Sequence, residues 1–129
     1  MFNLAVRGHD LTKVCDPQDL ACQIAEKGIK NVQFALNASF PELSAAAQIN
    51  PGMGTFFKNE FGQQNVQVAL LSCYSNLIHP DPHEREKILQ KFERYLFHAR
   101  YFGASMVASE TGSVCLLYTS PSPRDAHES

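Results

Sequence analysis

The chain has 129 residues, of which 44% are hydrophobic and 19% charged, and its formal net charge is −2. These values are typical of a globular domain and exclude a disordered chain and a general basic surface for nucleic acid. No apolar run approaches the ~20 residues of a bilayer crossing, and Met1 is not followed by the basic and long apolar regions of a secretory signal. A cytoplasmic protein without a membrane partner is therefore expected. The cysteines include no CxxC pair, which favours reduced thiols.

The first predicted strand runs from Asn3 to Val6 or Arg7 and ends in a polar cluster. Asp16 and Pro17 then predict a helix start, because aspartate suits the N-cap and proline suits the first helical position. An i, i+4 stripe of apolar residues follows this start and continues to a glycine stop.

A hexapeptide pattern, Asn-Val-Gln-x-Ala-Leu, occurs twice, at 31–36 and 65–70. Gly28 and Gly62 each precede a copy by three positions and end a helix-like stretch, and Gly103 precedes a third short apolar run. This recurrence is typical of βα units in a parallel sheet.

The second strand is predicted over 32–36. Asn50 and Pro51 can cap the next helix, although Gly52 and Gly54 weaken its first turn, and its stronger half is 55–61. The third strand is predicted over 66–73. Its continuous apolar run favours a strand that is covered on both sides. Three aromatic residues of the helix are expected to pack against the sheet rather than to form a stacking platform: Phe56, Phe57 and Phe61.

The strongest predicted helix begins after Asp81, for which Glu84 would complete a capping box, and ends at Gly103. A short fourth strand is predicted over 106–108. One face of the helix is apolar and comprises Ile88, Leu89, Phe92, Tyr95, Leu96, Ala99 and Phe102.

The order βαβαβαβ predicts an α/β fold with parallel strands and crossover helices. Units of similar length, and the absence of G-x-G-x-x-G after the first strand, favour a closed barrel over an open sheet. Residues 1–114 would then be the N-terminal half of a (β/α)8 TIM barrel, with about four of its strands.

In either architecture a ligand binds beyond the carboxyl ends of the strands. Glu110, after the fourth strand, is the candidate catalytic carboxylate, because burial there would suit a general base; an ion pair with Arg7 is the alternative. Candidate positions at these ends are Arg7, His9 and Asp10; Asn37 and Ser39; Cys73, Tyr74, Asn76 and His79; and Glu110 and Thr111.

Two of these positions also have a structural interpretation. His79 and His83 have the spacing of helical zinc ligands, but the prolines between them favour a cap and turn over a metal pair. Cys73 has the chemistry of a nucleophile, yet a cysteine at the end of a strand is more typical of a small buried hydrophobe.

Four segments are informative together: Asn3–Asp10 (NLAVRGHD), Asn50–Lys58 (NPGMGTFFK), Cys73–Asp81 (CYSNLIHPD) and Gly103–Ser113 (GASMVASETGS). In this order they resemble the sugar phosphate isomerase/epimerase family of xylose isomerase-like TIM barrels. The resemblance covers essentially all of residues 1–114.

This resemblance implies an enzyme that moves a proton between carbons of a sugar or sugar phosphate through an enediolate. It implies a divalent metal (Mn, Mg, Co or Zn) as cofactor, a small-molecule sugar as partner, and a possible homo-oligomer. Metal and acid/base ligands would come from strands beyond Val114, so the chain itself is expected to be an inactive fragment without a metal ligand of its own. The candidate substrate or outer-shell contacts are His9, Tyr74, Asn76, His79 and Glu110.

Two alternatives remain open. An abasic-site endonuclease of the same superfamily is disfavoured for two reasons. Enzymes of that kind resemble the family but have a histidine at the end of the third strand, where this chain has Cys73. They also need a basic groove, which the net charge of −2 does not offer. A non-catalytic sugar-binding barrel would keep the polar positions and lose the metal ligands.

Residues 115–129 change in character. Residues 115–125 back-translate, codon for codon, into a string that resembles a sequencing-library adapter. This segment is therefore expected to be a non-native disordered tail, with a genuine Ser/Pro-rich linker as the alternative.

Overall fold

The computed structural model describes residues 3–110, so the predicted tail at 115–129 lies outside the described residues. Four parallel strands form one sheet in the order β1-β2-β3-β4. No helix within 3–110 has the length and apolar character that crossing a membrane requires. The strands are β1 (Ala5–Arg7), β2 (Asn31–Phe34), β3 (Gln67–Ser72) and β4 (Val107–Ala108).

Helical segments connect consecutive strands throughout the described part of the chain. The α-helices are α1 (Pro17–Glu26), α2 (Leu36–Ser39), α3 (Pro41–Ala46), α4 (Pro51–Gly62) and α5 (Pro82–His98), and 3₁₀ turns span Gly8–Asp10 and Ala99–Phe102. Asp16 caps α1 as predicted, since its carboxylate accepts a hydrogen bond of 2.8 Å from the N–H of Asp19.

The three long helices pack against the same face of the sheet. Val32 and Phe34 of β2, and Val68 and Leu71 of β3, belong to one buried cluster that also contains residues of α1, α4 and α5. Gln33, between Val32 and Phe34, points to the opposite face, because successive side chains of a strand alternate. One-sided coverage and consecutive strand order are the arrangement of a barrel, whereas an open doubly wound sheet has helices on both faces. The predicted half-barrel architecture is confirmed.

A register shift explains the apolar run of β3. Val32 pairs with Val68, but Gln33 pairs with Leu70, so Ala69 is an extra residue in β3. The bulge lets Val68 and Leu71, three positions apart, both reach the helices. Ala69 and Leu70 are only half-buried, and the expectation that this run is covered on both sides was wrong.

The second strand ends earlier than predicted. The sequence pattern favoured 32–36, but β2 stops at Phe34 and Leu36 begins the short helix α2. The 3₁₀ turn Gly8–Asp10 contacts α2. The early end of β2 therefore places Asn37 and Ser39 beside the segment that follows β1.

Helix α4 includes the turn that its glycines were expected to weaken. Asn50 caps it, because its side-chain oxygen accepts a hydrogen bond of 2.9 Å from the N–H of Met53. An ideal Cβ on Gly54 would lie 2.6 Å from Cβ of Tyr101 and 3.0 Å from its carbonyl carbon. Glycine at this position lets α4 approach the 3₁₀ turn Ala99–Phe102, which outweighs its low helix propensity.

Aromatic rings fill the layer between α4 and the sheet. The ring centroids of Phe34 and Phe57 are 4.8 Å apart, and those of Phe34 and Phe61 are 5.3 Å apart. The predicted packing of Phe57 and Phe61 is confirmed. Phe56 is 47% exposed, so the same prediction was wrong for this residue.

Helix α5 is less covered than its apolar pattern indicated. Tyr95 is buried, whereas Leu89 is 43% exposed and Leu96 is 52% exposed. The reason is geometric: α5 contacts the core along one stripe, and within residues 3–110 no following helix covers the other edge of its apolar face.

The start of α5 differs from the predicted capping box. The carboxylate of Asp81 accepts from the N–H of His83 at 3.0 Å, as expected of an N-cap. The N–H of Asp81 donates to Nδ1 of His79 at 3.1 Å rather than to Glu84. His79 therefore has the cap-and-turn role that the prolines indicated.

The close approach at Gly54 gives a stability prediction. A Gly54→Ala substitution should lower the free energy of unfolding by at least about 1 kcal/mol, because overpacking outweighs the gain in helix propensity. Gly62→Ala is the matched control: its Cβ would meet no atom of residues 3–110 within 4 Å. Urea unfolding at fixed protein concentration measures both, and equal stability of the two variants would contradict the packing assignment.

Candidate functional site

A polar cluster lies at the carboxyl ends of β2 and β3, on the face opposite the helices. Nε2 of Gln33 donates to Oγ of Ser72 at 3.0 Å and to the hydroxyl of Tyr74 at 2.9 Å. Ser72 is fully buried, so the amide of Gln33 satisfies a group that water does not reach. The cluster joins two strands and the loop after β3.

The segment after β1 adds a histidine to this cluster. The rings of His9 and Tyr74 meet edge to face, with centroids 5.6 Å apart and an interplanar angle of 76°. Nη2 of Arg7 lies 2.8 Å from Nε2 of His9. Because a guanidinium only donates, Nε2 of His9 is the acceptor and Nδ1 carries the proton of the neutral ring.

Nδ1 of His9 is one of several buried polar atoms that lack a hydrogen-bond partner among the described residues at the carboxyl ends of the strands. This end of the sheet is called the rim below. The buried atoms without a hydrogen-bond partner within residues 3–110 are Nδ1 of His9, Oδ1 of Asn37 and Oγ of Ser39. They lie on two segments in contact, the 3₁₀ turn Gly8–Asp10 and α2. A buried unpaired polar atom costs roughly 1–3 kcal/mol. These atoms therefore mark a place suited to bound water or to the polar groups of a ligand.

The structure brings together two of the five predicted substrate or outer-shell contacts, His9 and Tyr74. Two others, Asn76 and His79, form a turn in the loop before α5, in which the carbonyl of Asn76 accepts from the N–H of His79 at 3.2 Å. His79 also accepts from the guanidinium of Arg85 through its carbonyl, at 2.9 Å. Its contacts are those of a helix cap, and its predicted role toward a substrate stays a prediction.

Gln33 and Ser72 were missed by the sequence reasoning. The signal was present: Gln33 is the polar residue between Val32 and Phe34, two apolar residues of the first repeat copy that face the core. A polar side chain at an alternating position of a parallel strand indicates a face that helices do not cover.

The environment of Cys73 bears on whether it is a nucleophile or a small buried hydrophobe. Cys73 is buried in the core, and this burial raises the pKa of its thiol, opposed by the hydroxyl of Ser75 and the charge of Lys91. It fits the small buried hydrophobe rather than the nucleophile.

Glu110 is exposed, so the expected burial of this carboxylate was wrong. β4 has only two residues at the sheet edge, and Glu110 lies two residues beyond its end. Arg7 pairs with Asp10 instead, at 3.7 Å, so the alternative ion pair with Glu110 was also wrong. The catalytic role of Glu110 stays a prediction, as does any role of Thr111, which lies outside the described residues.

Residues 3–110 do not fit a metal site. No group of three histidine, cysteine, aspartate or glutamate side chains within this range could hold an ion. His83 is exposed, and its backbone N–H serves the cap of α5.

Comparison with known proteins gives a fold. No family model and no curated protein matches the chain. Among solved structures, a xylose isomerase-like TIM barrel/4-hydroxyphenylpyruvate dioxygenase fusion protein is similar, with a TM-score of 0.58, 15% identity, and coverage of 84% of this chain and 16% of that one. The probable 3-DHS dehydratase AsbF from Bacillus anthracis, involved in petrobactin synthesis, is similar with a TM-score of 0.59, 12% identity, and coverage of 84% and 38%.

The chain has the fold of part of a xylose isomerase-like TIM barrel. It spans 16% and 38% of the lengths of these two proteins, and identities of this size show the fold alone. In a TIM barrel the active site lies at the carboxyl ends of the strands. The cluster of His9, Gln33, Ser72 and Tyr74 occupies that end of this xylose isomerase-like sheet.

The hydrogen bond between Gln33 and Ser72 gives a second prediction. Gln33→Leu should lower the free energy of unfolding by about 1–3 kcal/mol, because the buried hydroxyl of Ser72 loses its partner. Ser72→Ala in the same background should restore part of that loss, since the unpaired hydroxyl of Ser72 is then absent.

Urea unfolding of the two single variants and the double variant gives the coupling energy. A coupling below ~0.3 kcal/mol would mean that the two side chains act independently and that the bond does not organise the cluster.

Proposed function

We propose that the chain is the N-terminal half of a metal-dependent isomerase or epimerase that acts on a sugar or sugar phosphate by proton transfer through an enediolate. The observation that carries the proposal is the cluster of His9, Gln33, Ser72 and Tyr74, on the uncovered face of the sheet at the carboxyl ends of the strands. The resemblance of four sequence segments to this family, together with the barrel fold, supports the reaction class.

The proposed task of these residues is to hold the sugar. The hydroxyl of Tyr74 accepts a hydrogen bond from Gln33 and has its own proton left to donate. Nδ1 of His9 is a buried donor without a partner in residues 3–110. Two such donors suit the hydroxyl or carbonyl oxygens of a sugar.

Apart from Glu110, whose catalytic role stays a prediction, the reacting groups of the proposal lie elsewhere in the protein. Since residues 3–110 hold no metal-binding cluster, the cation and its ligands would belong to later strands. Two groups that accept and return the proton are required there as well. Residues of this half would position the substrate and limit its contact with water.

The abasic-site endonuclease has less support. In that alternative a histidine ends the third strand, whereas this chain has Cys73, which is buried among apolar residues of the core. A net charge of −2 adds no attraction for a phosphate backbone.

The test uses the natural gene product that contains residues 1–114, assayed in D₂O with Mn²⁺ against aldose and ketose phosphates. We expect deuterium at the carbon beside the carbonyl, because an enediolate takes its proton from a group that exchanges with solvent. Chelation with EDTA should abolish turnover, and Mn²⁺ should restore it. Product without deuterium, or turnover that is indifferent to chelation, would contradict the proposal.

Substitutions test the contribution of this half. His9→Ala and Tyr74→Phe should each raise KM about tenfold, since each removes a hydrogen bond worth roughly 1.4 kcal/mol. Lys27→Gln, at the exposed end of α1, is the control and should leave KM unchanged.

A further inference from the structure

A polar cavity lies on the helix-covered side of the sheet, and none of its lining residues belongs to the cluster of His9, Gln33, Ser72 and Tyr74. It has a volume of about 360 Å³ and lies between α5 and the segment that joins α3 to α4. Leu36 and Tyr95 form its inner wall, and both belong to the core on the helix-covered face. The Gln33 cluster is on the opposite face, so the two sites are separated by the sheet.

The wall contributed by α5 is cationic. Lys87, Lys91 and Arg94 line the cavity and lie at i, i+4 and i+7, which places them on one stripe of the helix. Among residues 3–110, the lining contains no carboxylate. Glu86 and Glu93, seven residues apart, lie on a neighbouring stripe outside the lining, and Glu86 accepts from Gln90 at 3.4 Å.

Two of these cations have no carboxylate partner within residues 3–110. Lys87 lies 3.5 Å from Glu84, which partly neutralises it. Lys91 and Arg94 are half-buried and take part in no ion pair in the described part of the chain. Nζ of Lys91 lies 6.0 Å from the centroid of the Tyr95 ring, so its ammonium is held over the cavity wall rather than extended into solvent.

We propose that this cavity binds a small phosphate ester. An arginine and a lysine held near each other suit the oxygens of a phosphate, because a guanidinium can donate two parallel hydrogen bonds. The remaining polar lining, Ser44, Gln48 and Gln90, offers neutral donors and acceptors for hydroxyl groups. The cavity is of the size that takes a small organic ligand and is larger than a lone phosphate requires.

This site is independent of the proposed rim chemistry. It uses residues of the outer flank, and none of them belongs to the cluster of His9, Gln33, Ser72 and Tyr74. A ligand here would bind whether or not the protein is an isomerase.

The experiment titrates the 129-residue chain by calorimetry with three probes: glucose 6-phosphate, inorganic phosphate and glucose. We expect saturable binding of glucose 6-phosphate, weaker binding of inorganic phosphate, and much weaker binding of glucose than of its phosphate ester. Raising the salt concentration from 50 to 300 mM should weaken binding, because the added ions screen the attraction between the cationic side chains and the phosphate.

Variants locate the site. Arg94→Gln and Lys91→Gln should each weaken binding of glucose 6-phosphate about tenfold or more, the effect of losing a charged hydrogen bond. Lys27→Gln removes the same charge from α1 and should leave the affinity unchanged. Tyr74→Phe reports on binding at the rim: weakening in this variant with unchanged affinity in both α5 variants would assign the ligand to the proposed active site and overturn this assignment.

Three results would overturn the assignment: equal affinities for phosphate and its ester, unchanged affinity in both α5 variants, or equal weakening by Lys27→Gln. Circular dichroism of each variant establishes that it retains the helical content of the wild type.

Discussion

The packing of α1, α4 and α5 onto a single face of the sheet is the constraint on which the rest of the structure depends. Val32 and Phe34 of β2 reach this face by ordinary alternation. Val68 and Leu71 of β3 reach it only because of the bulge at Ala69. Together they bury the apolar stripes of the three helices, which supplies most of the stabilisation available to a sheet with two-residue and three-residue outer strands.

One-sided packing also determines where polar chemistry lies. The side chains between the core residues point away from the helices, and there Gln33 joins Ser72 to Tyr74. In a closed barrel this face is the interior, and its carboxyl end is the mouth. The cationic cavity beside α5 lies on the other side of the same sheet, so one layer of strands separates two polar sites of different character.

The sequence predicted the parts of the fold that depend on local chemistry. Asp16 and Asn50 cap helices as their positions indicated, and the backbone is left-handed at Gly28 and Gly103, where helices end. After α4 the left-handed residue is Asn65 rather than Gly62. The repeat pattern alone does not distinguish the two, because asparagine also tolerates this conformation.

What the sequence could not predict depends on contacts between distant segments. The bulge at Ala69 is a register difference between two strands. Glycine is required at position 54 because α4 approaches Tyr101 there. Glu110 would be buried only if a further segment covered β4, and residues 3–110 supply no such segment. His9 and Tyr74 were predicted because they follow strand ends. Gln33 lies within a strand, where its alternating position indicated an uncovered face but not its hydrogen bonds to Ser72 and Tyr74.

The most direct test of one-sided packing compares two adjacent residues of β3 in the 129-residue chain. Leu71 is fully buried under the helices and Leu70 is half-buried on the other face. Leu71→Ala should lower the free energy of unfolding by about 2–5 kcal/mol, and Leu70→Ala by less than about half of that. Equal losses in urea unfolding at fixed protein concentration would mean that both faces are covered, and the half-barrel account would be contradicted.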